Sequence, residues 1–159
     1  MSSNFTARPF QMSDSAEVAA LVRKTLVISN VPDYTLESME EFASIHTPQY
    51  IESRSEWMHF HVASDGEKIV GCGAIGPHKD STEESEFYTV FVLPEYQGKG
   101  IGRRIMEALE SDEYFLRAKR VVIASSITAR DFYFKFGYRY APGGDILDEE
   151  DLYTLEKVR

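Results

Sequence analysis

Cysteine is nearly absent. The 159-residue chain has one, Cys72, which excludes an internal disulfide and a cysteine-rich zinc site. It stands in the apolar stretch IVGCGAIG, so a packed thiol is expected rather than a nucleophile. Positive charge is scarce: 17 Lys and Arg face 26 Asp and Glu, a net charge of −9. That balance argues against general nucleic-acid binding, which needs a basic surface. It fits an ordinary acidic surface and is compatible with a cationic substrate. No apolar run is long enough to span a membrane. The opening MSSNFTARPF lacks the apolar core of a secretory leader, so a cytoplasmic location is expected. Repeats, low-complexity tracts and linkers are missing as well, and residues 1–159 are expected to form a single domain.

Apolar residues make up 43% of the chain and aromatics 13%, enough to exclude disorder and to fill a core. Asn4 to Phe10 reads as a first strand. Ser13 or Asp14 caps a helix carrying Val18, Leu21, Val22 and Leu26. Thr35 caps a second, with Leu36, Met39 and Phe42 at helical spacing. Trp57 to Ser64 and Lys68 to Ile75 read as strands joined by an Asp65-Gly66 hairpin turn. A polar loop from Pro77 to Ser85 leads to a strand from Glu86 to Leu93. Ile101 to about Ser111 is a helix with Ile101, Ile105, Ala108 and Leu109 on one face. Val121 to Ala124 reads as a strand buried on both faces. Ala129 to Phe136 is a helix ended by Gly137, and Leu152 to Val158 is a final strand. The order β-α-α-β-β-β-α-β-α-β-β predicts an α/β fold with a mixed sheet and helices on both faces.

The most informative segment is FYTVFVLPEYQGKGIGRR, Phe87 to Arg104. A β-branched and aromatic run ends at Pro94, a glycine-rich turn follows, and a helix then opens with Arg103 and Arg104 in its first turn. Exposed N–H groups and the positive end of a helix dipole make such a turn an anion site. Gly98, Gly100 and Gly102 alternate, so the dinucleotide fingerprint fails because its third glycine comes one residue early. The P-loop pattern fails because no Ser or Thr follows Gly-Lys. What remains is a turn free of side-chain bulk that a pyrophosphate can approach.

Gln97-x-x-Gly100-x-Gly102, after a strand ending in Val92-Leu93-Pro94, resembles the acetyl-CoA-binding motif of the GNAT superfamily of N-acetyltransferases. Ala129-x-x-Phe132-Tyr133-x-x-x-Gly137-Tyr138 is similar to that family's second motif. The resemblance implies a mixed, mostly antiparallel central sheet flanked by helices, and transfer of an acetyl group from acetyl-CoA to a primary amine without a metal. The alternative is a non-catalytic acyl-CoA-binding module of the same fold. On this resemblance, backbone groups at Val90, Phe91 and Val92 pair with the pantetheine arm. Gln97 flanks the turn, and the amides of Gly98, Lys99, Gly100, Ile101, Gly102 and Arg103 cradle the pyrophosphate. Ser126 stands where many members carry an Asn that contacts pantetheine, a departure that leaves a hydroxyl in its place. Homodimers are frequent in the family, so a dimer is an expectation too.

Acetyl transfer to an amine requires a base, because a protonated amine with a pKa of about 10.4 has no lone pair. It also requires donors for a developing oxyanion and an acid for the departing thiolate. The resemblance assigns the acid to Tyr133 and, at a spacing some members share, the base to Glu86. Period-two alternation places Glu86, Tyr88, Val90 and Val92 on one strand face. His59 and His61 share a face with Trp57; a solvated sheet face is the simpler reading, and a base in the cleft is the other. Asp145 to Asp151 reads as a solvated turn before the last strand; attraction of a cationic acceptor is the other reading. Leu26 to Tyr50 is expected to wall the acceptor side.

Overall fold

The computed structural model describes residues 5–30 and 32–159. Asn4, expected in the first strand, lies outside them. One seven-stranded sheet in the order β1-β2-β3-β4-β5-β7-β6 organises the chain. Its strands are β1 (Phe5–Pro9), β2 (His59–Asp65), β3 (Lys68–Pro77), β4 (Glu84–Val92), β5 (Arg120–Ser125), β6 (Arg139–Tyr140) and β7 (Tyr153–Val158). The β4–β5 pair is parallel and every other pair is antiparallel. The expected mixed, mostly antiparallel sheet is therefore present. No helix among the described residues is long and apolar enough to cross a membrane.

Helices α1 (Ser15–Ser29), α2 (Leu36–Ile45) and α3 (Pro48–Arg54) precede β2. Thr35 caps α2 as expected, its Oγ1 accepting from the Ser38 N–H at 3.1 Å. The α2 stripe is narrower than its spacing predicts: Met39 and Ala43 are buried, whereas Leu36 and Phe42 are exposed. Helix α3 was not anticipated; Thr47 caps it and Pro48 opens it. Asp14 does not cap α1 by its side chain. Its carboxylate accepts from Arg8 at 2.8 Å and from the Gln11 N–H at 2.8 Å, and the Arg8 contact holds its pKa below the usual range.

Helix α4 (Ile101–Glu110) covers the opposite face. It lies close because β3 carries glycine beneath it. A Cβ at Gly71 or at Gly73 would meet the Ile105 side chain at 2.7 Å. The short helix α5 (Glu113–Leu116) and α6 (Arg130–Phe134) complete the set. Gly137, at φ +91°, stops the turn after α6 as expected. Val121, Val122 and Ile123 are buried on both faces of β5, but Ala124 is exposed. Cys72 is fully buried, and burial pushes its thiol up to about 12, so it is a packed thiol.

Candidate active site

The sheet opens in its middle. β4 pairs with β5 only from Glu84 to Phe87 on one strand and Arg120 to Ile123 on the other. Beyond Phe87 the edge of β4 that faces away from β3 has no strand partner among the described residues. Every backbone polar group there must find a ligand or water. The gap is the inner end of a cleft of about 570 Å³ whose walls include Glu86, Tyr88, Val90, Phe91, Ser126 and Tyr133.

A β-bulge lies at the point of divergence. Cys72 opposes Phe91 and Ala74 opposes Tyr88, so Gly73 faces two residues, Thr89 and Val90. Thr89 adopts φ +53°, a left-handed conformation that costs a β-branched residue about 1–3 kcal/mol. The Cys72 thiol donates to the Thr89 carbonyl at 3.3 Å. The extra residue corrects the expected alternation. Glu86 and Tyr88 face α3, where Tyr88 meets Trp57 and Arg54. Val90 instead turns to the α4 face, toward the space above Gly73. Val92, opposite Gly71, shares that face. Strict period two cannot hold across a bulge.

The glycine turn follows directly. Gly98 and Gly100 sit at φ +78° and +87°, with open space where a Cβ would be. Backbone N–H groups from Gly98 to Arg103 make no hydrogen bond among the described residues. They include the orphan donors of the first turn of α4, where the helix dipole is positive. Gln97 Nε2 donates to Ser29 Oγ at 2.9 Å and to the Val92 carbonyl at 3.0 Å, so this side chain ties the turn to α1 and β4. Lys99 lies over the Tyr96 ring and Arg103 over the Phe136 ring. The two sequence motifs touch: a Cβ on Gly102 would sit 2.7 Å from the Phe132 ring. Ser126 lines the cleft, and its Oγ accepts from the Ala129 N–H at 3.0 Å.

Tyr133 is buried, yet it lines the cleft and its hydroxyl makes no hydrogen bond among the described residues. Burial pushes its pKa above the usual value, and the nearby Cys72 adds to the shift. The phenol therefore keeps its proton at neutral pH, as an acid must. Glu86 is held from one side. His78 Nδ1 lies 2.8 Å from Glu86 Oε1, and the Tyr88 hydroxyl, which donates to the Pro77 carbonyl at 2.9 Å, lies 3.2 Å from the same oxygen. Glu86 Oε2 has no partner among the described residues. His78 falls in the stretch read as a polar loop, and no sequence spacing points to its pairing with Glu86.

His59 and His61 do not reach this cleft. They turn to Asp112 at the start of α5, at 3.0 Å and 2.8 Å. This is a half-buried, paired face rather than a solvated one. Burial opposes the charge on Asp112, but hydrogen bonds from His61, the Tyr114 N–H and His59 outweigh it and leave its pKa lowered. Glu150 and Asp151, from the acidic run, do border the cleft, and the Asp151 carbonyl accepts from the Tyr34 hydroxyl at 2.7 Å. The opposite wall comes from Leu26, Asn30, Tyr34, Ser38, Met39, Glu41, Phe42, His46 and Tyr50, within the segment expected there. Arg54 from α3 joins it.

A central sheet that divides beside a bulge and runs into a glycine turn with free amides defines an α/β protein with a cleft for an extended, phosphate-bearing ligand. The acetyltransferase (GNAT) domain model matches residues 30–148, most of the chain, and the protein belongs to that family. Its fold is similar to that of the PaiA N-acetyltransferase of Thermoplasma acidophilum, solved with coenzyme A. The TM-score is 0.83 at 15% identity, covering 98% of this chain and 99% of that one. A GCN5-related N-acetyltransferase of Rhodopseudomonas palustris is similar at a TM-score of 0.79 and 20% identity, covering 100% and 98%. The N-acetylglutamate synthase of Neisseria gonorrhoeae, solved with coenzyme A and L-arginine, aligns at 0.66 and 15% identity, over 98% of this chain and 33% of that one. At these identities the likeness is one of fold. No curated protein sequence matches the chain.

Proposed function

We propose that this protein transfers an acetyl group from acetyl-CoA to a primary amine by direct attack within a ternary complex. The observation that carries the reading is a cleft that joins an unpaired β4 edge to two side chains of opposite proton duty, with a run of free amides on the turn that follows β4. The residues present fit coenzyme A. Backbone groups of Val90, Phe91 and Val92 offer strand-like partners to the pantetheine arm. The amides from Gly98 to Arg103, with the charges of Lys99 and Arg103, suit the pyrophosphate. Ser126 keeps a hydroxyl proton to donate, since its oxygen already accepts from Ala129. Coenzyme A in two of the similar structures supports this assignment. When bound, acetyl-CoA supplies the acetyl group and a sulfur leaving group.

The chain's own residues do the rest. Glu86 takes the amine proton on Oε2, while His78 holds Oε1 and sets the carboxylate's direction. Tyr133 gives its hydroxyl proton to the departing sulfur. Backbone N–H groups at the Thr89–Val90 bulge line the same cleft and are offered as donors for developing negative charge. No covalent enzyme intermediate is needed. The test is free-thiol release from acetyl-CoA with a pooled panel of primary amines, beside thermal shift with CoA, ATP and NAD. Amine-dependent thiol release, with stabilisation by CoA alone, is the expected result. Stabilisation by CoA without thiol release would instead indicate a binding module, and stabilisation by ATP or NAD would sink both.

A further inference from the structure

Among the described residues, Arg54 Nε is the one buried side-chain nitrogen or oxygen without a hydrogen-bond partner. Arg54 ends α3 and lines the cleft on the acceptor side. No carboxylate forms an ion pair with it, although the protein has 26 acidic residues and Glu41, Glu86, Glu150 and Asp151 border the same cleft. Three aromatic rings hold it in place instead. The guanidinium carbon lies 5.0 Å from the Trp57 ring, 5.1 Å from Tyr50 and 5.5 Å from Tyr88. Rings stabilise a guanidinium through their faces but accept none of its N–H groups in the plane. A cation so placed keeps its charge, is fixed in orientation, and has donors still to satisfy.

Arg54 and Glu86 sit at two ends of Tyr88. Its ring meets the guanidinium, and its hydroxyl lies 3.2 Å from the Glu86 carboxylate. Resting on the acetyl-transfer reading, we infer that Arg54 is the anion-binding half of the acceptor subsite. The acceptor is then a small amine that also carries a carboxylate, as an amino acid does. The carboxylate takes the guanidinium fork, which suits two oxygens in one plane. The amine lies toward Glu86. A polyamine with positive charge throughout would meet Arg54 with like charge.

The test compares matched acceptors: L-amino acids, their amides, and their decarboxylated amines. The readout is the ratio of kcat/KM for the acid over that for its amide, in the wild-type protein, Arg54→Gln and Arg54→Lys. The wild type should prefer the acids. Arg54→Gln should lower the ratio by about 10- to 100-fold, the size of a charged hydrogen-bonded pair, and Arg54→Lys by less, because charge remains and the fork is lost. Wild-type preference for amides or decarboxylated amines, or a ratio unmoved by both variants, would overturn the inference. Binding of N-acetyl amino acids, measured by calorimetry with thermal melts of each variant, gives a readout without turnover. If no amine is acetylated, the acetyl-transfer reading fails on its own. Arg54 then stands if these carboxylates bind the wild type and lose affinity in Arg54→Lys, and falls if they do not.

Discussion

The wall built by β4, the glycine turn and α6 offers a ligand mainly backbone, whereas the wall built by α1, α2 and α3 offers side chains. On the first, an unpaired strand edge and the amides from Gly98 to Arg103 are the groups proposed to bind. Side chains there are absent, as at Gly98 and Gly100, or serve to brace, as Gln97 does against Ser29. On the second, Tyr34 before α2, His46 at the end of α2, and Tyr50 and Arg54 of α3 present rings and polar tips. Burial, aided by the charges of Arg54 and Arg23, outweighs the hydrogen bond to the Phe42 carbonyl and lowers the pKa of His46, so it stays neutral beside Arg54. A backbone wall can be kept while the other is rewritten, which suits one constant co-substrate and a particular acceptor. Glu86 and Tyr133, the residues proposed to move protons, lie between the two.

That division can be broken experimentally, and the largest effect should come from Glu86. Glu86→Gln is expected to lower kcat/KM by about 100-fold or more, within the range of lost general base catalysis. The rising limb of its pH–rate profile should move to higher pH. An unmoved limb would assign proton removal to water or to another group. CoA affinity should hardly change, because the side chain faces α3 rather than the turn.

Tyr133→Phe comes next, with turnover down by about ten-fold or more and CoA affinity nearly constant. Because burial raises the phenol's pKa above the ordinary value of about 10, the acid remains protonated as pH rises. Wild-type kcat should therefore show no falling limb at or below about pH 10 from this group. A falling limb there that vanishes in Tyr133→Phe would show that the phenol ionises in its usual range.

The smallest effect sharpens the backbone side of the comparison. Gly102→Ala forces a methyl into the Phe132 ring at 2.7 Å. Overpacking of this kind costs about 1–3 kcal/mol, a fall in Tm of about 2–10 °C for a chain of this size. The Kd for CoA should rise several-fold while the acceptor KM stays put. A shift in acceptor KM without one in CoA affinity would show that the two walls are not separable.

Local rules made much of the first wall legible. Gly98 and Gly100 do adopt left-handed φ, and Gly137 does end the turn after α6. Alternation and helical spacing located β2, β3, β4, β5 and α4 within a few residues. The second wall was readable only as a stretch of chain from Leu26 to Tyr50. Helix α3 was missed because its seven residues give too short a run for periodicity to register. The Thr89–Val90 bulge was missed because a bulge is a mismatch between two strands, and neither strand records it alone.

By itself the sequence determined the features that need only a residue and its near neighbours: where the backbone can turn left-handed, which faces are apolar, and where a helix can start with free amides. Tertiary structure alone decided which side chains meet. It brought His78 to Glu86, turned His59 and His61 away to Asp112, inverted Val90 through the bulge, and set Arg54 among Tyr50, Trp57 and Tyr88 without an acid to pair with. The physical reason is that a conformational preference is local to a few bonds. The partner of a charge depends instead on distances through space, which exist only once the sheet has closed around its core and opened at Phe87.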